Sequence, residues 1–466
     1  MEEKAHIIVS VHGTFSATEQ HEGTQWWQYG SRFWQALSQE LPEKYSQIQK
    51  EQTFHWSGEN SAAERRSAAK NLLVLIRAFE ENQQPYHLIG HSHGGSVIWE
   101  ALLLANRKSR SKWAKQAATT DGFIPLQYLR SWATVGTPFV ISKPSALRIL
   151  MAMVTGIVAL ISFLYILFSP FIKGVEEAAQ SAGAGWEVVL ANLVVFYIVL
   201  SPTLAGLESE QVDRERRSAH DVIKNFGSRW LCLWHSNDEA INGLRAAMGL
   251  SGKVVPRRSI LGKAFAFPIL SRLYLPLSFF FFTPVLNFVL APLGDRYVWR
   301  KIKDKSVGND RPGAHANRVE TMPVSGYPGI PSIPQRVEND LGAEADAALQ
   351  EAAATFRSML GRLGNGMGKG LFEELKASGL SGRELIHTSY FDNPDITILV
   401  GEHIRGASGM DIQTEMPDDL RRWMEQYRAV IGQVIATRVR KPVSLGLKVI
   451  ALVMVAGGLL LAYLMA

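Results

Sequence analysis

The residues with the clearest chemical potential form a short glycine-flanked motif around Ser92. The motif reads Gly-His-Ser-His-Gly over residues 90–94; an apolar strand-like run precedes it and an apolar helical pattern follows. In this context the serine lies on a tight strand-to-helix turn that projects its hydroxyl from the top of a sheet, so the pattern predicts a nucleophilic serine. Glycines are expected there because side chains would collide with the neighbouring strand and helix. A chance match to a short pattern is the alternative.

A serine hydroxyl needs a base to take its proton, usually a histidine that a carboxylate orients. After such a turn, the partners follow in the chain order Ser, Asp, His. Asp238 lies just past a late strand-like run and is the predicted acid, with Glu239 as the fallback. A solvated acidic turn is the simpler alternative for this loop. His387 is the predicted base, and His403, which is also expected in a late loop, is the runner-up.

A second loop has the features of an oxyanion hole. An N-terminal strand-like run ends in His12 and Gly13. A backbone N–H just past such a glycine, here of Thr14 or Phe15, would point at the substrate carbonyl oxygen, and the N–H of His93 would supply the other donor. An ordinary loop between a strand and a helix is the alternative.

Metal and cofactor chemistry is not expected. His91 and His93 have the spacing of a metal-binding pair, but the sequence offers no evident third ligand. Cys232 is the only cysteine, which excludes an internal disulfide and a cysteine-based zinc cluster. The predicted serine chemistry needs neither a metal nor a cofactor.

The elements that must position these residues alternate between strand and helix, which predicts a parallel α/β sheet with helices on both faces. Strands are expected at 5–11, 54–56, 86–89, 131–135, 229–234 and 396–400. Amphipathic or alanine-rich helices are expected at 62–79, 338–363 and 416–439. Residues 311–335 are rich in proline and glycine and are predicted to form a loop.

Long apolar runs interrupt this alternation. Residues 149–172 and 188–207 are each long enough to cross a bilayer and predict a transmembrane hairpin, and residues 443–465 predict a C-terminal membrane anchor. Residues 264–294 are too short for two spans and are broken by prolines, so they predict a re-entrant or interfacial element. Buried core helices are the alternative for the hairpin. No signal peptide is visible.

The charge distribution favours a membrane over nucleic acid as the partner. The chain has 466 residues, a net charge of +6 and 47% apolar residues. Its basic clusters, at 257–258, 300–305 and 438–441, lie beside apolar runs, as juxtamembrane segments do. The positive-inside rule then places the sheet domain in the cytoplasm. Membrane lipids are therefore the expected partners, and nucleic acid is not.

The apolar runs divide the chain into six predicted segments. Three of them form the sheet domain: residues 1–146 with the serine motif, residues 209–245 with the acid loop, and residues 336–440 with the base and an amphipathic helix. The other three are the transmembrane hairpin (147–208), an apolar re-entrant or interfacial cap insertion (246–335) and the C-terminal anchor (441–466).

Five motifs together resemble the α/β-hydrolase superfamily. They are His-Gly-Thr-Phe at 12–15, Gly-His-Ser-His-Gly-Gly at 90–95, Gly-Thr-Pro-Phe at 136–139, Asn-Asp-Glu-Ala-Ile at 237–241 and His-Thr-Ser-Tyr-Phe at 387–391. The chain is most similar to bacterial lipase-like proteins, including those that resemble GPI-inositol deacylases. The resemblance covers about residues 5–145, 220–245 and 380–405, and the apolar insertions depart from it.

This resemblance implies an α/β-hydrolase fold with Ser92 as nucleophile, His387 as base and Asp238 as the orienting acid. The expected function is a membrane-bound serine carboxylester hydrolase, of lipase or phospholipase type, that forms an acyl-enzyme on membrane lipid esters. A bacterial inner membrane is the expected location, with the catalytic domain facing the cytoplasm. A membrane-tethered esterase or thioesterase with soluble substrates, and an inactive hydrolase-like scaffold, are the alternatives.

Overall fold

The structure is a computed structural model of the chain. It describes residues 4–14, 16–18, 20–110, 126–144, 208, 211–212, 214–216, 218–251, 291–324, 329–363, 385–410 and 416–436. The predicted hairpin at 149–172 and 188–207, the predicted anchor at 443–465 and residues 264–290 lie outside these ranges. Among the helices within the described ranges, none combines the length and the apolar character that a bilayer crossing requires.

A five-stranded parallel sheet forms the centre of the described chain. Its strands, in chain order, are β1 (His6–Val11), β2 (Tyr45–Gln47), β3 (Tyr86–His91), β4 (Leu129–Val135) and, after a strand β5 (Phe139–Pro144) that lies outside the sheet, β6 (Trp230–Leu233). Their spatial order is β2-β1-β3-β4-β6, and every pair is parallel. All residues of the central strand β3 are buried, as expected for a parallel sheet covered on both faces. The predicted parallel α/β architecture is thereby confirmed.

Nine helices with defined bounds, together with a helical stretch at 218–226, surround the strands in the described ranges. They are α1 (Arg32–Glu40), α2 (Ala62–Glu81), α3 (His93–Arg110), α4 (Glu239–Gly249), α5 (Ala291–Ser306), α6 (Gln335–Leu363), α7 (Ile386–Ser389), α8 (Pro394–Ala407) and α9 (Asp418–Ala436). The helices predicted at 62–79, 338–363 and 416–439 are confirmed as α2, α6 and α9.

The helices cover opposite faces of the sheet. Ser131 and Trp132 are consecutive in β4, so their side chains point to opposite sides. The Trp132 ring stacks on Trp99 of α3, with ring centroids 6.3 Å apart. The Ser131 hydroxyl instead bonds His87, whose ring interacts with His403 on α8. Helix α3 therefore lies on one face and α8 on the other.

One hydrophobic core joins parts of the chain that are far apart in sequence. It contains Ile8 of β1, Leu88 of β3, Leu231 of β6, Leu399 of α8 and Val434 of α9, each at most 1% exposed. The three sequence segments predicted to form the sheet domain thus contribute to a single core.

The predicted loop at 311–335 contains a strand, which corrects that prediction. Strand β7 (Ala314–Glu320) pairs antiparallel with β5 to form a separate two-stranded sheet. A small cluster of Val307, Ala316 and Val319 packs beneath it, together with Val140 of β5. The proline and glycine residues of this region flank the strand.

The predicted strand at 54–56 is also wrong, since these residues do not pair with any strand of the described chain. The sheet edge is β2 instead, a strand of only three residues. Trp56 is held by its side chain rather than by backbone hydrogen bonds to a neighbouring strand. Its Nε1–H donates to the His12 carbonyl at 2.8 Å, and its ring stacks on the His12 ring. Burial of these aromatic residues produced a strand-like pattern without strand pairing.

Residues 396–400, predicted as a strand, belong to helix α8. Asn393 caps this helix: its side chain accepts from the N–H of Asp395 and of Ile396. Pro394 occupies the first helical position, where its fixed φ and missing N–H favour a helix start. These helix start signals outweigh the strand preference of the apolar residues 396–400. The apolar residues are buried because α8 is packed on more than one side.

Candidate active site

Ser92 occupies a strained turn between β3 and α3. Its φ is +51°, a left-handed conformation that non-glycine residues adopt rarely. The Ser92 N–H donates to the Val135 carbonyl at 2.9 Å, which ties the turn to the end of β4. A Cβ on Gly94 would lie 2.1 Å from the Val11 carbonyl oxygen, and one on Gly90 would lie 2.6 Å from the Gly95 nitrogen. Both glycines are therefore required by the close approach of α3 to the sheet.

The loop after β1 lies directly against this serine. A Cβ on Gly13 would lie 2.7 Å from the Ser92 Cβ and 3.3 Å from its Oγ. Thr14, the next residue, is part-buried in the same loop, whereas Phe15 lies outside the described residues. His93 is the first residue of α3, so its N–H belongs to the helical turn in which backbone donors have no intrahelical acceptor. The loop after β1 and the first turn of α3 thus both adjoin Ser92, and the helix terminus adds positive potential.

Asp238 is completely buried where β6 leads into α4. It is the N-cap of α4, and its Oδ1 accepts the N–H of Ile241 at 2.9 Å. Its Oδ2 accepts the hydroxyl of Tyr390 at 2.8 Å. Burial by itself raises the pKa of the Asp238 carboxyl, but the bonds from His387, Ile241 and Tyr390 outweigh it and hold the pKa below its usual value. The carboxylate is therefore ionised at neutral pH.

The structure brings His387 and Asp238 together across 149 residues of sequence. His387 Nδ1 lies 3.0 Å from Asp238 Oδ1 and 2.9 Å from Oδ2. A proton on Nδ1 donates to this carboxylate, which leaves Nε2 unprotonated and able to act as a base. The imidazole is 12% exposed, so substrate and solvent can reach it.

Glu239, the fallback acid, has a different role from Asp238. Its carboxylate accepts the backbone N–H groups of Ile386 and His387, each at 3.3 Å. It therefore caps the short helix α7 that carries His387 and does not face the imidazole. His403, the runner-up base, lies within helix α8 rather than in a late loop, and its Nε2–H donates to the Arg229 carbonyl at 3.0 Å. Burial lowers the pKa of His403 to about 4.

Ser92 and His387 both adjoin the peptide that follows β4. The Ser92 N–H binds the carbonyl of Val135, and a Cβ on the next residue, Gly136, would lie 3.3 Å from His387 Nδ1. The contacts of the described residues do not include a hydrogen bond between Ser92 Oγ and His387. In serine hydrolases without substrate this pair is often loose and tightens in the substrate complex.

Sequence reasoning missed two side chains that hold the predicted base, His387, in place. His91 Nε2–H donates to the His387 carbonyl at 2.7 Å, and the two rings lie 4.9 Å apart. Burial, followed by the nearby His387, lowers the pKa of His91 to about 3, so this ring is a neutral donor. Tyr390 is fully buried, and its hydroxyl also accepts the His235 N–H at 2.8 Å. Its position three residues after His387, on the same helical face, was the available signal.

The ring nitrogens of His91 and His93 have different partners and do not converge on a metal position. His93 Nδ1 lies 3.3 Å from Ser96 Oγ, and His91 Nε2 binds the carbonyl of His387. The described residues contain no group of three or more potential metal ligands. Cys232 is buried in β6, and burial raises the pKa of its thiol to about 12.

Comparison of the chain with protein families, with curated proteins and with solved structures returned no match. The fold defines an α/β protein with a mostly parallel sheet, and this architecture supports many unrelated activities. The function must therefore be argued from the residues of the site.

Proposed function

We propose that this protein is a serine hydrolase with an α/β-hydrolase fold that cleaves carboxylic esters of membrane lipids. The observation that carries the proposal is the contact of His387 Nδ1 with both oxygens of a buried, ionised Asp238. This pair lies at the same sheet edge as Ser92, whose backbone strain is the kind stored at nucleophilic turns. The ends of β3, β4 and β6 supply the site, and ligands of open α/β sheets bind at the carboxyl ends of the strands.

In the proposed reaction, Ser92 Oγ attacks the ester carbonyl carbon while His387 Nε2 takes the hydroxyl proton. Asp238 holds the Nδ1 proton and stabilises the imidazolium that forms. The backbone N–H of His93, with that of Thr14 or Phe15, donates to the oxyanion. His387 then returns the proton to the leaving alcohol. Water, activated by the same histidine, cleaves the acyl-enzyme to a carboxylic acid and free Ser92.

The lipid part of the proposal comes from where the predicted apolar segments leave the sheet domain. Strand β5 ends at Pro144, just before the predicted hairpin at 147–208. Helix α4, which Asp238 caps, ends at Gly249, just inside the predicted insertion at 246–335. Both insertions thus follow elements that begin beside the candidate site, and anchoring by these insertions would hold the sheet domain at the headgroup layer.

A fluorophosphonate probe tests the serine chemistry. The wild type should be labelled, Ser92→Ala should not be labelled, and Ser38→Ala should be labelled like the wild type, because Ser38 is an exposed residue on α1. Equal labelling of the wild type and Ser92→Ala would refute the nucleophile assignment. The absence of labelling in all three would favour an inactive scaffold.

Substrate assays on vesicle-borne phospholipid and on a short soluble ester test the lipid part. Hydrolysis of the vesicle substrate that depends on Ser92 supports a membrane lipid ester. Activity on the soluble ester alone would indicate a tethered esterase or thioesterase. Lipid profiling of membranes exposed to the wild type and to Ser92→Ala would then identify the bond that is cut.

A further inference from the structure

A cavity of about 740 Å³, including its open mouth, lies outside the candidate active site. Helices α2 and α3, strand β5 and helical residues around 212–219 line it. Most of its wall is apolar and comes from Trp99, Leu103, Phe139, Val140, Val212 and Ala219. None of Ser92, Asp238 and His387 lines the cavity.

Four charged side chains at one end of the cavity neutralise one another. Arg311 binds Glu100 and Glu215, each at 2.6 Å. Arg66 also binds Glu215, and its Nη2 lies 3.8 Å from Glu100. The two arginines and two glutamates carry no net charge among themselves, and both glutamates bind arginines other than Arg65.

Arg65, which lines the same cavity, has no carboxylate partner within salt-bridge distance among the described residues. It is 6% exposed. Its guanidinium donates to Asn60 Oδ1 at 3.3 Å and to the carbonyls of Val307 and Gly308 at 3.2 and 3.3 Å. These acceptors are neutral, and three bonds leave two of the five arginine donors for another acceptor.

The pKa of Arg65 shows the same lack of a close negative charge. Burial, followed by repulsion from Arg311, lowers the pKa of Arg65 to about 10, and the more distant Glu100 and Asp310 offset only part of this effect. A buried cation without a close counter-charge is costly, and a bound anion would reduce that cost. Exposed Arg216 adds another positive charge to the lining.

We propose that this cavity, the Arg65 cavity, binds a single-chain anionic amphiphile of the fatty-acid type. The two remaining N–H donors of Arg65 can bond the oxygens of a carboxylate, and they would bond a phosphate in the same way. The apolar wall would hold the acyl chain. This site goes beyond the proposed ester hydrolysis and does not depend on it, because it uses none of the three catalytic side chains.

Trp99 provides a direct signal for the test, since it lines the cavity and is 7% exposed. Titration of the full-length protein with 9,10-dibromostearate should quench part of the tryptophan fluorescence in a saturable manner. Because the chain has 12 tryptophans, the contribution of Trp99 to the quench is identified by comparing variants that each lack one tryptophan. Trp99→Phe should lose the saturable component. Trp423→Phe, changed on α9 away from the cavity lining, should retain it.

Chemical variation tests the two parts of the ligand. The methyl ester of the same acid should bind at least 10-fold more weakly, because it has no charge for Arg65. Displacement of dibromostearate by millimolar inorganic phosphate would show that the oxyanion dominates, whereas resistance to phosphate with displacement by oleate supports the fatty-acid type. Equal binding of the acid and the methyl ester would overturn the proposal.

Two protein variants test the location. Arg65→Gln should weaken binding at least 10-fold. Because Arg65 also holds the backbone at Val307 and Gly308, a second variant, Ala219→Phe, is designed to fill the cavity from a different wall and should also abolish the quench. Wild-type affinity in a folded Ala219→Phe would refute the site. Ser92→Ala should bind normally, so a failure of the hydrolase assignment would leave this result intact.

Discussion

Asp238 remains charged although its side chain has no exposed surface, because each of its oxygens accepts hydrogen bonds. The donors are Nδ1 of His387, the N–H of Ile241 and the hydroxyl of Tyr390. An ionised carboxylate in such a position is stable only while these donors are present. At the scale of single residues, the candidate site is therefore a network of four groups rather than a pair.

Removal of the Tyr390 hydroxyl should weaken catalysis through Asp238 without affecting substrate binding. Without this donor, the Asp238 carboxylate binds a proton more tightly, so the acid limb of the pH–rate profile should shift to higher pH. We expect Tyr390→Phe to lower kcat by about 10-fold, the value of one hydrogen bond to a charged group, with KM unchanged.

Tyr427→Phe is the matched control for this prediction. Tyr427 is also buried. Its hydroxyl donates to the Trp230 carbonyl and accepts the N–H of Cys232, but it does not contact Asp238. It should lose a similar amount of stability without a shift of the pH profile. An unshifted acid limb in Tyr390→Phe would contradict a positioning role.

Substitution of the two neighbouring acids should separate their roles. Asp238→Asn replaces an acceptor of the Nδ1 proton with an amide that favours the wrong tautomer, so kcat should fall by roughly 10⁴-fold. Glu239→Gln keeps one oxygen to accept the N–H of Ile386 or His387, and its effect should stay below about 10-fold. Steady-state kinetics with a soluble ester measures both, and a larger loss in Glu239→Gln would reverse the assignment.

At the scale of the elements, the site depends on how closely α3 approaches β1. The Cα of Gly94 faces the Val11 carbonyl in a gap with no room for a methyl group. This approach places the first turn of α3 beside the loop that follows β1, and the N–H of His93 and the backbone of Gly13 lie on either side of Ser92 as a result. The predicted oxyanion site would thus be a consequence of helix–strand packing.

Two glycine-to-alanine substitutions should therefore have opposite effects. Gly94→Ala places its Cβ 2.1 Å from a carbonyl oxygen and should destabilise the fold by about 3 kcal/mol or more. Gly432, within the exposed side of α9, has nothing within 4 Å, and Gly432→Ala should stabilise by up to about 1 kcal/mol. Urea unfolding of both variants measures the difference. A Gly94→Ala protein with wild-type stability would mean that α3 can shift away from the sheet.

The elements that could be predicted from the sequence are those whose signals are local. The turn at Ser92 combines a strand, two glycines and a helix within about twenty residues, and each of these features is visible in the sequence. Strand β7 could not be found this way, because it is defined by pairing with β5 about 170 residues earlier. Strand β2 has only three residues, too few for a periodic pattern.

The contacts within the candidate site show the same limit. The chain order of Ser92, Asp238 and His387 could be interpreted from sequence, but the choice of Asp238 over Glu239 could not be tested, since the two residues are adjacent. Only the fold shows that one carboxylate faces the imidazole while the other caps α7. The short buried run at 396–400 was ambiguous between strand and helix because burial on several sides removes the periodicity.

At the scale of the whole molecule, five buried histidines have lowered pKa values and are neutral in the folded protein. Burial lowers the pKa of His12 and His403 to about 4, lowers that of His91 to about 3, and holds those of His87 and His93 well below the usual value. In the unfolded chain the same side chains bind protons near pH 6.5. The unfolded state therefore binds more protons than the folded state between about pH 6.5 and 4.

Stability should consequently fall as the pH drops below about 6.5, by up to about 1.4 kcal/mol per histidine per pH unit. Five such groups are enough to exhaust a typical folding free energy of 5–15 kcal/mol, so we expect acid unfolding above pH 4.5. The lowered pKa of Asp238 adds to the loss only below about pH 4. His403→Gln, whose amide can still donate to the Arg229 carbonyl, should reduce the slope of the unfolding free energy against pH by the equivalent of about one proton. An unchanged slope would contradict the linkage.

The predicted membrane topology can be tested because Cys232, the only cysteine, is buried in β6 with a raised thiol pKa. An introduced cysteine will therefore be the reactive thiol of the folded protein. Ala182 lies in the loop of the predicted hairpin and Lys108 near the end of α3, on the sheet domain. In intact bacterial cells, Ala182→Cys should react with an impermeant maleimide and Lys108→Cys should react only after lysis. Labelling of Lys108→Cys in intact cells would invert the topology, and equal protection of both would contradict a hairpin exposed to the outside.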